Sequence, residues 1–346
     1  MGTVANFKDQ YQTDYSKTYR DEEILLVPLL RKRQDAIGQI RSILGDPVIS
    51  VHPQTGVESR KTAVVMVANE GVIDLVMNLL CSCRAAQIDT SNYVIFVGSE
   101  SDVKVINGMG VHAIYNPSLG SMPKTAAYNY GDGTFSRMMW LKVSAVYVAN
   151  AAGYNVLFQD ADLVWFKDPV PYMETLYGDD TDILFMDDGG RTPRFTPLYV
   201  NSGFYWMKYN SRTVYLMEKM LKSVSEISTT HSHQATLIRH IVESHEIVGL
   251  EIKMVDQRLF PSGYMYHHEK KYIASLKEYG VFPYVFHMCW TDNRDQKVLA
   301  FVCVSCLLFP LLYAACTVYT IHLCLSTCAY QPVLINLCLS TCAYQP

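Results

Sequence analysis

Asn155-Val-Leu-Phe-Gln-Asp160-Ala-Asp162-Leu-Val-Trp-Phe-Lys-Asp-Pro169 is the stretch that decides the fold of this chain. An apolar run, Val156–Phe158, leads into two carboxylates one residue apart, and a second apolar run, Leu163–Phe166, follows them. Apolar runs of this length between polar residues are typical of buried strands. The sequence therefore predicts a buried strand that carries Asp160 and Asp162 at its end.

The two carboxylates of this stretch predict a metal site. Along an extended strand, Asp160 and Asp162 leave on the same face because they are two residues apart. Neighbouring carboxylates repel each other and lose hydration on burial unless a cation lies between them. A hard divalent ion, Mn²⁺ or Mg²⁺, is the natural partner, and such ions usually bind together with a substrate diphosphate. The alternative is a solvated strand end with two turn-forming acids, because a bare Asp-x-Asp tripeptide is common.

The residues around this stretch alternate between strand-like and helix-like patterns. Ala63–Val67 and Tyr93–Val97 are apolar runs with high β propensity, and Val72–Leu80 between them has helical spacing. A strand, a helix and a strand in succession indicate a parallel, doubly wound sheet. Further strands are predicted at 182–186, 204–207 and 281–286, and further helices at 135–150, 215–225 and 234–244. The predicted fold class is α/β, with a Rossmann-like, mostly parallel central sheet flanked by helices.

Length and charge fit one large catalytic domain. Enzymes of the α/β class often use about 200–250 residues as a single unit. The chain has 29 basic and 33 acidic residues and a net charge of −4, so we expect no polycationic face and no nucleic-acid partner. Residues 61–297 carry the α/β patterns and form the predicted domain. The polar residues 1–60 are expected to be an approach segment that is helical or partly disordered.

The C-terminal tail differs in composition from the rest of the chain. No Asp, Glu, Lys or Arg follows Lys297, and residues 298–321 are apolar and long enough to span a bilayer as one helix. Residues 322–346 are rich in cysteine and contain one ten-residue segment twice. A membrane anchor is therefore predicted, with a non-native C-terminus as the rival interpretation. Cys303 and Cys306 have the spacing of a metal pair, but no second pair follows at zinc-site spacing, which disfavours zinc.

Six sequence blocks occur in an order typical of one known family. These blocks are Val64–Asn69 with Leu79–Cys83, Lys142 with Gly153–Phe158, Asp160–Pro169, Asn201–Phe204, Asp256–Phe260, and His287–Trp290 with Lys297. On these blocks the chain resembles the nucleotide-diphospho-sugar transferases of glycosyltransferase family 77, which include plant xylosyl- and arabinosyltransferases. It departs from that pattern at Cys289, where Asn is usual, and in the missing Gly before Lys297. The resemblance implies a GT-A type fold over residues 61–297.

The resemblance also implies which residues bind the metal and the phosphates. Asp160 and Asp162 would hold Mn²⁺ or Mg²⁺, and His287 would complete the coordination. Lys142 and Lys297 would add positive charge at the diphosphate of the sugar nucleotide, a common function of lysine. The alternatives are an ordinary core histidine and solvated surface lysines.

Four further residues are predicted to bind the nucleotide or to act in catalysis. Asn69 follows the first strand at the edge where doubly wound sheets bind nucleotides, and its amide can pair with a uracil. Asp256, Gln257 and Asn201 are the predicted catalytic residues. Retaining transfer without a covalent intermediate needs a weak polar group on the far face of the anomeric carbon, which Gln257 can supply, while Asp256 can orient hydroxyls. Each could instead be a turn or structural residue.

The predicted function is metal-dependent, retaining glycosyl transfer from a nucleotide diphosphate sugar, with UDP as the expected nucleotide, to a glycan or glycoprotein acceptor. A haloacid-dehalogenase-like phosphatase is one alternative, because Asp160 and Asp162 fit its first motif and Gly178–Asp182 imitates its later metal-binding acids. The short spacing between these segments disfavours it, since a βαβ crossover takes a dozen residues or more. The other alternative is a catalytically inactive sugar-nucleotide-binding membrane protein.

The predicted location is the Golgi membrane with a lumenal catalytic domain, as the resemblance implies. The charge distribution disagrees with this expectation. Arg294 and Lys297 lie before the predicted span and nothing basic follows it, so the positive-inside rule predicts a tail-anchored protein with a cytosolic domain. Both orientations remain open at the level of the sequence.

Overall fold

The computed structural model of the chain describes residues 21–120, 124–127, 133–176, 180–269, 271–272, 275, 278, 282–291 and 297. Its strands are β1 (Val48–Val51), β2 (Glu58–Arg60), β3 (Thr62–Ala68), β4 (Tyr93–Val97), β5 (His112–Ile114), β6 (Asn155–Gln159), β7 (Leu163–Trp165), β8 (Ile183–Asp187), β9 (Val200–Met207), β10 (Ile252–Met254) and β11 (Val285–His287). Its α-helices are α1 (Val27–Leu44), α2 (Ile73–Ala85), α3 (Glu100–Gly108), α4 (Gly133–Ala151), α5 (Pro169–Leu176), α6 (Ser211–Lys222), α7 (Val224–Thr230), α8 (His233–Val248) and α9 (Gly263–His268). Short helices of the 3₁₀ or π type occupy Glu22–Leu26, Glu70–Val72, Pro117–Leu119 and Pro193–Phe195.

The central sheet has seven strands in the order β10-β8-β9-β6-β3-β4-β5. Its neighbouring strands are parallel except at β9, which is antiparallel to both β6 and β8. Two smaller sheets pair β1 with β2 and β7 with β11. The α/β class and the mostly parallel central sheet predicted from the sequence are confirmed. The reversed direction of β9 is not part of that prediction.

The central strands are buried on both faces of the sheet. The odd-numbered residues from Ala63 to Val67 in β3 pack into a core that α1, α4, α6 and α8 cover. The even-numbered residues from Val64 to Ala68 pack into a second core that contains residues of α2, β7 and β11. Strands buried on both faces have continuous apolar sequences instead of alternating ones, which explains the pattern of β3.

Long elements agree with the sequence patterns better than short ones. The predicted strand at 93–97 is β4, and the predicted helix at 135–150 is α4, which is slightly longer at both ends. The predicted helix at 215–225 is interrupted at Ser223, where α6 ends and α7 begins. The strands β5 and β10 have three residues each, too few to show an alternating pattern.

The N-terminal part of the described chain packs against the sheet. Helix α1 buries Leu29, Ala36, Ile37 and Ile40 in the first core, and the β1–β2 hairpin follows it. Among the residues that the structure describes, no helix is long and apolar enough to cross a bilayer. The predicted membrane segment at 298–321 and the cysteine-rich residues 322–346 lie outside the described residues.

Candidate active site

The Asp-x-Asp motif lies just past the C-terminal end of β6, in the turn that leads to β7. Its carboxylates therefore do not project from an extended strand, as the sequence interpretation assumes. The backbone N–H of Asp160 donates to the carbonyl of Gly203 in β9 over 2.8 Å, and the N–H of Met288, just past β11, donates to the carbonyl of Asp162 over 3.0 Å. Strands β9 and β11 thus hold this turn from two sides.

The apolar flank of the motif is anchored by Trp165, which is almost fully buried. Its indole N–H donates to Gln159 Oε1 at the end of β6 over 2.7 Å, and its backbone N–H donates to Ser82 Oγ of α2 over 3.0 Å. Buried Trp N–H groups usually need such a partner. Trp165 therefore ties the segment after the motif to β6 through its side chain and to α2 through its backbone.

Asp160, Asp162 and His287 form a cluster whose potential ligand atoms all lie within 4.8 Å of one another. His287 Nε2 is 3.2 Å from Asp162 Oδ1. The antiparallel pairing of β11 with β7 places His287 opposite Leu163, next to Asp162 in the chain. The side chains of His287 and Asp162 are 2% and 6% exposed, whereas that of Asp160 is 21% exposed. The cluster is therefore open to solvent at Asp160.

Both predicted phosphate-binding lysines lie at these carboxylates. Lys142, on α4, places its Nζ 2.6 Å from Asp160 Oδ1, and the ammonium group of Lys297 contacts Asp162. Burial alone would raise the pKa of Asp162, but the charges of Lys297 and His287 hold that pKa well below its ordinary value. Burial alone would lower the pKa of Lys297, but the charge of Asp162 raises it. The carboxylates and lysines thus form one network of mixed charge.

A second polar cluster, made of Asp188, Asn201 and Gln234, lies beside the first. Asp188 follows β8 and is buried; its Oδ1 accepts a hydrogen bond from Asn201 Nδ2 over 2.8 Å and lies 3.5 Å from Gln234 Nε2. Asn201 Oδ1 accepts from the backbone N–H of Gly203 over 2.8 Å, which links this cluster to the Asp160 turn. Burial raises the pKa of Asp188, and the hydrogen bonds from Asn201 and Gln234 oppose that rise.

The sequence analysis did not single out Asp188 or Gln234. A sequence signal exists for Asp188, because Asp187 and Asp188 directly follow the apolar run of β8, much as Asp160 follows the apolar run of β6. No comparable signal marks Gln234, which lies in the first turn of α8 and accepts hydrogen bonds from the N–H and hydroxyl of Ser202.

Asn69 lies at the same edge of the sheet as Asp160, because it follows β3 and β3 is parallel to its neighbour β6. It is fully buried, and its Nδ2 donates to the carbonyl of Thr125 over 2.9 Å. The side chain therefore helps to hold the described residues 124–127 against the end of β3. Its pairing with a nucleotide base stays a prediction.

Asp256 and Gln257 lie in the turn that follows β10. The carboxylate of Asp256 forms an ion pair with Arg258 at 2.6 Å and accepts a hydrogen bond from the backbone N–H of Arg258 over 2.9 Å. The side chain of Arg258 is 77% exposed, so this pair lies at the surface. The carboxylate of Asp256 is thus engaged within its own turn, and a catalytic function of Asp256 and Gln257 stays a prediction.

Sequence and structure comparisons identify related proteins. Beta-arabinofuranosyltransferase RAY1 of Arabidopsis thaliana is 27% identical over 222 residues, which cover 60% of this chain and 40% of that protein. The UDP-galactose:fucoside alpha-3-galactosyltransferase of Dictyostelium discoideum is 22% identical over 282 residues, which cover 68% of this chain and 41% of that protein. The chain thus spans about 40% of the length of these relatives. A crystal structure of the galactosyltransferase LgtC with donor and acceptor sugar analogues has 16% identity and a TM-score of 0.42, and covers 67% of this chain and 88% of that one.

The family model described as nucleotide-diphospho-sugar transferase matches residues 90–301, which is more than half of the chain. The matched region contains the Asp160–Pro169 segment, His287 and Lys297. The family that the resemblance predicts is confirmed, and the observed α/β fold with its mostly parallel central sheet agrees with it. The prediction of a glycosyltransferase is confirmed at the level of the family. The chain belongs to the nucleotide-diphospho-sugar transferase family.

Proposed function

We propose that the protein is a metal-dependent, retaining glycosyltransferase that moves a sugar from a UDP-sugar to a glycan or glycoprotein acceptor. The observation that carries this proposal is the convergence of Asp160, Asp162 and His287 at the C-terminal edge of the sheet in a chain of this family. The relative from Dictyostelium discoideum is named for a UDP-galactose donor, which supports UDP as the nucleotide.

The donor atoms of the cluster fit a divalent cation. Two carboxylates and one imidazole suit Mn²⁺, and the oxygen ligands also suit Mg²⁺. The partly exposed Asp160 carboxylate leaves room for ligands from the substrate side. A bound divalent ion would supply positive charge for the departing diphosphate. Asp160, Asp162 and His287 are therefore the residues that would hold it.

The lysines of the site are placed to add further positive charge. The ammonium groups of Lys142 and Lys297 each lie at one of the two carboxylates. Lysine presents a compact charge that several phosphate oxygens can share. We therefore propose that both lysines contact the diphosphate of the donor, and that Asn69, at the same sheet edge, contacts the base.

The cluster of Asp188, Asn201 and Gln234 is better supported as the sugar-binding part of the site than Asp256 and Gln257. Its members are hydrogen-bonded to one another and to the backbone of Gly203, which contacts the Asp160 turn. A buried carboxylate and two amides can orient the hydroxyl groups of a sugar. The amide of Gln234 is also the kind of weak polar group that retaining transfer needs near the anomeric carbon.

The decisive experiment combines two substitutions with direct binding measurements. Asp160→Asn and Asp162→Asn should abolish Mn²⁺-dependent UDP binding in calorimetry and the hydrolysis of UDP-sugars, since each removes one ligand charge. Asp180→Asn, at an exposed carboxylate, is the matched control and should change neither. Unchanged Mn²⁺-dependent UDP affinity in both site variants would overturn the metal assignment.

The phosphatase alternative is disfavoured by the position of Asp182. This residue precedes β8, whereas Asp160 follows the parallel strand β6, so the two carboxylates lie at opposite edges of the sheet. Asp182 forms hydrogen bonds with Arg212 instead.

The alternative of a catalytically inactive sugar-nucleotide-binding protein is tested with a panel of UDP-sugars. Binding of UDP without any Mn²⁺-dependent hydrolysis of the donors would favour it. We also propose, on the resemblance alone, that the enzyme acts in the Golgi lumen.

A further inference from the structure

Trp290 differs from the other three tryptophans of the chain. Trp140, Trp165 and Trp206 are 2%, 1% and 0% exposed, whereas Trp290 is 39% exposed. It lies three residues after His287, at the edge of the candidate active site. Single exposed apolar residues are normal on a protein surface. The exposure of Trp290 therefore indicates a binding function only if its contacts fix the orientation of the ring.

The indole of Trp290 is held in place by three contacts. Its N–H donates to the backbone carbonyl of Asp188 over 2.8 Å. A Cβ atom at Gly190 would lie only 2.2 Å from Trp290 Cζ2, so the glycine allows the ring to lie directly against the backbone. The ring of Tyr264 meets the indole edge-on, with 5.4 Å between centroids and 73° between planes. The exposed ring is therefore rigidly oriented.

The backbone of Trp290 is also unusual. Its φ is +61°, a value that is disfavoured for a bulky side chain. Such conformations cost of order 1–3 kcal/mol and cluster at ligand-binding and active sites. The hydrogen bond to Asp188 and the contact with Gly190 compensate for part of this cost. The fold thus maintains an exposed aromatic ring in a strained conformation beside the site.

The position of Trp290 relative to the proposed donor site is defined by Asp188. The carbonyl of Asp188 binds the indole of Trp290, and its carboxylate binds Asn201 of the proposed sugar-binding cluster. Next to it, Asp187 and Arg191 form a bidentate ion pair at 2.7 and 2.8 Å. Gly190, whose backbone lies against the indole, is between these two residues in the chain. An aromatic ring beside polar groups matches the two surfaces of a sugar ring, which has apolar C–H faces and polar hydroxyl edges.

We propose that Trp290, supported by Tyr264, is the platform on which a ring of the acceptor glycan stacks. This inference rests on the proposed function, because it assumes that the donor sugar lies at Asp188, and it adds the acceptor subsite. The ligand class is a carbohydrate ring with an apolar face, bound next to the transferred sugar. Trp290 is then a specificity-determining residue that positions the acceptor hydroxyl.

Tryptophan fluorescence gives a direct test, because only Trp290 of the four tryptophans is accessible to a soluble quencher such as acrylamide. The probes are methyl glycosides and short oligosaccharides of L-fucose, D-galactose and L-arabinose, used with and without UDP and Mn²⁺. We expect at least one probe to protect the emission from quenching at least twofold, and Trp290→Phe to lose the quenchable fraction. Failure of the whole panel to protect, or protection by a UDP-sugar alone, would overturn the proposal.

Steady-state kinetics distinguish this inference from the proposed function. Trp290→Ala should raise the acceptor KM roughly tenfold, the loss expected for one aromatic contact, while UDP-sugar hydrolysis without acceptor stays within about twofold. Trp290→Phe should recover most of the acceptor affinity. Ile247→Ala, at a comparably exposed apolar residue of α8, is the control. Equal losses of hydrolysis and transfer in Trp290→Ala would contradict an acceptor platform, whereas no hydrolysis by the unmodified protein would contradict the proposed function instead.

Discussion

Gly203 and Asp160 contact each other across β9 and the end of β6. The N–H of Asp160 donates to the carbonyl of Gly203 over 2.8 Å. A Cβ atom on Gly203 would lie 2.7 Å from Asp160 Oδ2 and 2.6 Å from His287 Cε1, both closer than real Cβ atoms approach other atoms. The absence of a side chain at residue 203 is therefore what allows the carboxylate and the imidazole to converge.

Gly203→Ala should weaken Mn²⁺ binding without unfolding the protein. The added methyl group would displace Asp160 and His287, and supporting changes around a metal site typically cost about 10–100-fold in affinity. Calorimetric titration with Mn²⁺ measures the effect. Gly108→Ala is the matched control, because a Cβ there has nothing within 4 Å. An unchanged Mn²⁺ affinity in Gly203→Ala would show that the three residues do not share one ion.

Asp188→Asn should reduce donor hydrolysis and leave Mn²⁺-dependent UDP affinity unchanged. The substituted amide can still accept the hydrogen bond from Asn201, so the cluster keeps its shape, but the negative charge that would orient sugar hydroxyls is lost. Hydrogen bonds to charged groups are worth about 1.5–3 kcal/mol, which corresponds to a rate loss of about 10–100-fold. Equal donor hydrolysis by Asp188→Asn and the Asp180→Asn control would show that Asp188 does not bind the donor sugar.

The strands around the site and its Asp-x-Asp segment could be predicted from the sequence because they depend on local patterns. Continuous apolar runs at 63–67 and 93–97 identify strands that are buried on both faces. The Asp160–Pro169 segment combines such a run with charges that need a partner. His287 and Lys297 were found through the resemblance, and the pairing of β11 with β7 provides the physical reason that His287 lies at Asp162.

Asn201 is identified through the resemblance, but its grouping with Asp188 and Gln234 could not be predicted, because it depends on the direction of one strand. The antiparallel β9 brings Asn201 and Gly203 to the end of β6, although both precede the predicted strand at 204–207. Gln234 then reaches Asp188 from the start of α8. Neither strand direction nor helix packing leaves a local signal in the sequence, so nothing in the sequence indicates that Gln234 belongs to the site.

Asp182→Ala should destabilise the protein while leaving the site intact. Asp182 is fully buried and accepts hydrogen bonds from Arg212 Nε and Nη2, both over 2.7 Å, and from the backbone N–H of Glu251 over 2.9 Å. Removing one partner of a buried pair typically costs about 3–5 kcal/mol, and the partial exposure of Arg212 places this case near the lower value. Urea unfolding measures the loss. A free energy of unfolding within about 1 kcal/mol of the unmodified protein would contradict this assignment.

His233 should make the protein less stable in mild acid. Its ring is buried, with Nδ1 2.9 Å from Met139 Sδ, and burial together with the charge of Lys142 lowers the pKa of His233 from 6.5 to about 3. Between these values the unfolded chain binds a proton that the folded protein does not, so stability present above about pH 6.5 is lost as the pH falls. The expected contribution is about 2 kcal/mol between pH 7 and pH 5. His233→Gln should reduce the pH dependence of urea unfolding by that amount, whereas His245→Gln, at an exposed histidine, should not. The same slope in both variants would mean that folding does not lower the pKa of His233.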